Sequence, residues 1–203
     1  MTNATRERMS LEYVLRLWGD IRDCLAPDCE RLQIAGSARR RRPEVKDLEI
    51  VAIPRFQEIQ DDNDLYRRPM VVNCLKDHLD KMVAIGLIAP AKSGNRYMAF
   101  DWMNTGLRVD LFTATEETWP LVYMVRTGPA AFNMMILKKA RARGYRILWG
   151  TGIFHDKDIT PTRKGPRPRT GAAAIPVETE ADIFNLLGMD YIPPEERNAC
   201  QTR

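Results

Sequence analysis

Asp47 and Glu49 stand one residue apart at the start of an apolar run, DLEIVAI. Successive side chains on a strand alternate faces, so the two carboxylates share a face while Leu48 and Ile50 point into a core. A third carboxylate, Asp110, lies between Val109 and Leu111 in the strand-like GLRVDLFTA, on the outer face with Arg108. Three carboxylates on adjoining strands repel one another unless a cation lies among them. Mg²⁺ prefers carboxylate oxygens. Two such ions roughly 4 Å apart can activate an attacking hydroxyl and stabilise a leaving phosphate oxygen.

The chain places the opposite charge just upstream. GSARRRR (36–42) carries four consecutive arginines, Arg39 to Arg42. Gly36 lets backbone approach a ligand closely, the Ser37 hydroxyl can bond a phosphate, and the Arg40 guanidinium can fork onto phosphate oxygens. Arginines for phosphate, acids for metal and metal bridging the two would explain both signs of charge within a few residues.

These residues need elements to hold them. The spacing of Leu11, Val14, Leu15, Trp18, Ile21 and Leu25 predicts a helix over 10–25. RLQIAG (31–36) and LEIVAI (48–53) read as strands, 54–69 as a polar loop and 69–86 as a helix. A hairpin over 87–102 turns at Ser93-Gly94-Asn95, and a strand follows at 106–114. Two helices meet near Gly128, YRILWG is a strand, 155–174 is a loop, and 178–188 is a short helix. The pattern is α+β: a mixed sheet with helices on one side, then a small mixed lobe. The expected division is 1–115 and 116–203. Trp18, Phe132, Phe184, Met134 and Met135 are expected in the core, with Cys24 and Cys74 as buried fillers.

The chain has 203 residues and a net charge of +4, unevenly spread. Between Lys138 and Arg169 ten Lys or Arg face two acids, a surplus of eight, interleaved with Tyr145, Trp149 and Phe154. By contrast, Glu58–Asp64 is acidic. Basic charge with interleaved aromatics points to a nucleic acid. No apolar run approaches the roughly 20 residues of a membrane helix, and MTNATRERM has no signal-peptide core. The four scattered cysteines disfavour a zinc site and suit a reducing, cytoplasmic compartment (nucleoid or host cytoplasm).

Gly-Ser, a spacer, acid-x-acid and a third acid on a later strand together resemble the nucleotidyltransferase superfamily. More closely, GSARR followed by DLEIV is similar to the palm motif of family X DNA polymerases such as DNA polymerase beta. LRVDLF is similar to that family's third-acid strand, and GNRYMAF (94–100) to the hairpin before it. RTGPAAFN (126–133) and IPVETEADIFNLLGMDYIPPEERN (175–198) resemble its later segments, and the likeness runs in order over residues 6–198. It implies that Asp47 and Glu49 ligate two Mg²⁺ ions (Mn²⁺ substituting), and that Asp110 ligates the catalytic one with Arg108 in support. It implies that Gly36, Ser37 and Arg40 hold the triphosphate, with Arg6 and Arg8 in positions where the family also contacts it. Gly128 would pass the nucleotide sugar and Asn133 would reach the base. DNA would be gripped by Lys138, Lys139, Arg141, Arg143, Arg163, Lys164, Arg167 and Arg169.

The implied function is a minimal DNA polymerase, a monomer acting on gapped or nicked primer-template DNA with nucleoside triphosphates. The family's lyase and helix-hairpin-helix modules have no counterpart here. Glu49 stands where these polymerases have Asp, Val125-Arg126 replaces an aromatic pair that gates the ribose, Ala130 replaces an acid, and Leu137 replaces a template-contacting arginine. These departures leave two alternatives: a transferase acting without a template or on another acceptor such as RNA, and a silent clamp on DNA ends.

Overall fold

The computed structural model describes residues 7–60 and 69–199. Arg6, Cys200 and the acids at 61–64 lie outside the described residues. The chain divides into two compact units. Met1–Ile34 and Pro43–Thr113 make the first; Ala35–Arg42 and Ala114–Arg203 make the second.

The first unit opens with a helix at Leu11–Leu25, capped by Ser10, whose hydroxyl accepts from the Tyr13 amide. Val14, Ile21 and Leu25 form its buried stripe. The sheet has five strands in the spatial order Cys29–Ile34, Asp47–Pro54, Leu107–Thr113, Tyr97–Trp102, Ile88–Lys92. Only Asp47–Pro54 and Leu107–Thr113 run parallel; the other pairs are antiparallel. A parallel pair needs a long crossover, and residues 55–106 supply it. Leu48, Ile50, Val51, Leu107, Val109 and Leu111 have no solvent exposure. Asp47–Glu49 alternates between faces, whereas every residue from Ile50 to Pro54 is buried. Only the beginning of this strand can therefore offer polar side chains to a ligand.

The crossover departs from the expected elements. The loop over 54–69 contains a strand, Phe56–Gln60, paired antiparallel with Pro69–Asn73. The helix begins only at Cys74, where Asn73 caps it by accepting from the Lys76 amide. Val72 therefore belongs to the hairpin. The β-branched Val71-Val72 pair favours a strand, and the Asn73 cap stops helix from spreading backwards.

In the second unit, Trp119–Thr127, Ala130–Ala142 and Glu180–Leu186 are helices, and Tyr145–Leu148 pairs with Gly152–His155. Leu121, Met124, Phe132, Ile136, Phe184 and Leu187 form its core. The expected loop over 155–174 starts on the last residue of that hairpin and holds a two-residue ladder, Ile159–Thr160 with Arg167–Pro168. Phe132 and Phe184 are buried as expected, but Met134 is 50% exposed and Met135 only packs against the core's edge. Trp18, Cys24 and Cys74 are half-buried, whereas Cys29 is buried, and burial pushes its thiol up to about 12.

Candidate active site

The parallel pairing sets Glu49 directly beside Asp110 and Asp47 directly beside Arg108. Partners in register share a sheet face, so all three acids and Arg108 line one face at the start of two adjacent strands. All four side chains are partly exposed. The Tyr97 hydroxyl donates to Asp110 Oδ1 at 2.9 Å, and its ring stacks on Phe112, its cross-strand neighbour, at 4.8 Å. The sequence pattern alone does not point to Tyr97; the signal lies in its place in YMAFDW, two residues before the partner of Asp110. Arg108 pairs with Asp101 across the next strand. Its Nε lies 3.0 Å from Oδ1, and its Nη2 donates to Oδ2 at 3.5 Å.

Among the described residues no three Asp, Glu, His or Cys side chains gather closely enough to form a metal cage. The register aligns the acids without a closed ligand set. Their chemistry fits a hard divalent cation: carboxylate oxygens on neighbouring strands, partly open to solvent.

The Gly-Ser segment groups with the second unit, although the expected division at residue 115 gave it to the first. Gly36–Arg39 is a single helical turn with Gly36 at φ 59°. Three arginines hold this turn within its unit. Arg39 donates to both oxygens of Glu180, at 2.8 and 2.7 Å, and to the Thr127 hydroxyl at 2.6 Å. Its guanidinium also lies 3.6 Å from the centre of the Tyr123 ring. Arg40, the expected triphosphate ligand, donates to the Thr127 carbonyl and to Asn198 Oδ1. Arg41 pairs with Glu195.

Glu180 is the centre of this network. It is 8% exposed and also receives Arg197, which is fully buried, at 3.1 and 3.2 Å. Burial pushes the Glu180 carboxyl up, but the hydrogen bonds and charges of Arg39 and Arg197 outweigh it and hold the group below its ordinary 4.5. In the sequence Glu180 reads as a first-turn helix acid, and nothing local to it announces a buried partner.

Gly128 and Asn133 meet. The Asn133 amide donates to the Val125 carbonyl at 2.9 Å, while its Oδ1 is buried without a hydrogen-bond partner. A Cβ on Gly128 would fall 2.7 Å from that oxygen and 2.4 Å from Phe132 Cδ1. The site thus contains one buried, unpaired acceptor beside a backbone that leaves no room for a side chain. Leu137 and Val125 both pack against the second unit's core.

The eight expected DNA-contacting residues, Lys138, Lys139, Arg141, Arg143, Arg163, Lys164, Arg167 and Arg169, are all exposed. Arg146, by contrast, is tied to Asp156. The Arg143 guanidinium lies against Gly188, where a Cβ would sit 2.1 Å from Nη2.

Comparison with known proteins gives a consistent picture. Residues 122–198 match the DNA polymerase beta thumb family. The chain is 30% identical over 91 residues to DNA polymerase lambda of Arabidopsis thaliana, a match covering 45% of this chain but only 16% of that protein. It is 22% identical over 200 residues to repair DNA polymerase X of African swine fever virus, covering 97% of this chain and 94% of the viral one. Its fold matches Leishmania infantum polymerase beta, solved as a ternary P/T complex, with a TM-score of 0.72 at 19% identity over 95% of this chain and 77% of that one.

Proposed function

Because the chain belongs to family X of the DNA polymerases, we propose that it adds nucleotides to a primer 3′-hydroxyl in gapped or nicked DNA. The observation that carries this reading is the register of Glu49 with Asp110, two residues along from Asp47 and on the same face.

In the reaction, the 3′-oxygen attacks the α-phosphorus of a nucleoside triphosphate. The new O–P bond forms as the bond to pyrophosphate breaks, and the hydroxyl proton passes to water. Asp47, Glu49 and Asp110 would hold divalent cations, which when bound lower the pKa of the attacking hydroxyl and neutralise charge on the phosphates. Asp110 receives the Tyr97 hydroxyl, which fixes the orientation of its carboxylate. The role proposed for Gly36, Ser37 and Arg40 is to bind the triphosphate. For Asn133 Oδ1 it is to accept a hydrogen bond from the incoming nucleotide, whose sugar passes Gly128. The exposed cations of the second unit supply the grip on DNA phosphates.

Insertion of one nucleotide into a one-nucleotide gap tests the reading. All four template bases would be used, with deoxy- and ribonucleotides, in Mg²⁺ and in Mn²⁺. Template-matched insertion that disappears in Asp110→Ala is expected. Absence of insertion by the unaltered protein would overturn it. A second reading, transfer that ignores the template, is favoured by Leu137, which packs inward where the family has a template-contacting arginine. Its signature is insertion independent of the template base.

A further inference from the structure

We infer that Trp149 is a stacking platform for an unpaired base of the bound nucleic acid. This rests on the proposed DNA-directed function and adds a contact to it.

The basic stretch carries three aromatics among its charges, and the fold separates them. Phe154 is 3% exposed and belongs to the interior. Tyr145 packs against the second unit's core and against His155, ring centres 5.4 Å apart. Trp149 is 41% exposed, whereas Trp102 and Trp119 are each 2% exposed.

The turn that presents Trp149 is rigid. It runs from Leu148 to Thr151, whose amide donates to the Leu148 carbonyl at 2.9 Å. Gly150 sits at φ 73°, a conformation that favours glycine. Gly152, at φ 143°, is wedged where a Cβ would fall 2.8 Å from the Ala174 Cβ. Behind it the Ile153 carbonyl accepts from the Ile175 amide at 2.7 Å. The indole is thus held at a hairpin tip by backbone that has little freedom to lose on binding.

An exposed indole on a turn held in one conformation can stack on a flat ring with little ordering cost. The surrounding chemistry selects nucleic acid over a protein partner. Between Lys138 and Arg169 the same unit carries nine exposed cations, of the kind that bind phosphate without regard to sequence. Aromatic side chains complement such a surface by stacking on bases, which is sequence-tolerant because every base has a π-face. A fully paired duplex hides those faces; a gap exposes one.

The test compares the unaltered protein with Trp149→Ala and Trp149→Phe. Each is titrated against a duplex with a one-nucleotide gap and against a relaxed closed circular duplex, over a series of salt concentrations. Trp149→Ala is expected to bind the gapped DNA about tenfold more weakly, the scale of one lost base stack. Its affinity for the closed circle should stay within about twofold, and its salt slope should not move, because no charge is lost. Trp149→Phe should keep most of the gap preference. Equal loss on both DNAs, or no loss on either, overturns the inference while leaving DNA binding in place. If the unaltered protein binds neither DNA, the proposed function fails first.

Discussion

The Tyr97 hydroxyl reaches a carboxylate of the candidate site, and removing it tests whether that acid needs to be held. Tyr97→Phe keeps the ring stacked on Phe112 and deletes one hydrogen bond to a charged group, worth about 1.5–3 kcal/mol. Nucleotide insertion by Tyr97→Phe should fall by roughly one to two powers of ten, while Asp110→Ala should abolish it; single-turnover rates distinguish the two. Glu180 acts differently. Glu180→Gln leaves one buried guanidinium, Arg197, and one partly buried, Arg39, facing a neutral amide, and breaking a buried ion pair from one side costs about 3–5 kcal/mol. Urea unfolding at neutral pH should show that loss. The folded carboxyl titrates below its ordinary 4.5, so its contribution is full above that value and is lost as pH falls through the lowered folded one. The stability gap between the unaltered protein and Glu180→Gln should therefore narrow in acid. A gap that is flat with pH would show that the charge on Glu180 is not what holds Arg39 and Arg197.

Between residues and molecule lie the elements, and here Gly128 makes the sharpest claim. Gly128→Ala would drive a methyl into Phe132 and Asn133 at the start of the Ala130–Ala142 helix. Both are anchored, one in the core and one to the Val125 carbonyl, so the helix must shift, at about 1–3 kcal/mol. The expected outcome is a lower melting temperature together with a raised KM for the nucleotide. The Phe56–Gln60 and Pro69–Asn73 hairpin is the opposite case. Among the described residues its strands pair only with each other, and Phe56, Met70 and Val71 are more than half exposed. A two-stranded ribbon is marginal in water, so its amides should exchange faster than those of Asp47–Pro54 by several orders of magnitude. The same contrast explains what the sequence reveals. Leu107–Thr113 is legible because buried and partly exposed positions alternate as far as Leu111, and Asp47–Pro54 because a continuous apolar run follows Glu49. The hairpin reads as loop because FQEIQ has only two apolar residues, and all five residues of that strand are exposed. The register of Glu49 with Asp110 could be guessed from their shared pattern. The Arg39–Glu180 pair, 141 residues apart, could not, because helix and turn propensities say nothing about a partner so distant.

Charge divides with the fold. The second unit holds seventeen Lys and Arg against ten Asp and Glu, a net +7; the first holds fourteen against seventeen, a net −3. The overall +4 conceals a basic unit suited to a polyanion and an acidic one suited to cations. Part of the positive charge is already spent inside the second unit, since Arg39, Arg41, Arg146 and Arg197 each have an acidic partner. The nine exposed Lys and Arg residues from Lys138 to Arg169 have their charge open to solvent, so DNA affinity should be governed by them and by salt. Each phosphate neutralised contributes about 0.9 to the slope of log K against log salt. Arg163→Ala combined with Lys164→Ala should lower that slope by close to two, and do so alike for gapped and closed circular DNA, because phosphate contacts position the protein without reading its substrate. The Arg39 and Arg197 guanidiniums provide the contrast: both are turned onto Glu180 inside the unit and not onto phosphate, so a substitution there should reduce stability and leave the slope where it was. A slope that ignored Arg163 and Lys164 would show that DNA is held on a different face of the molecule.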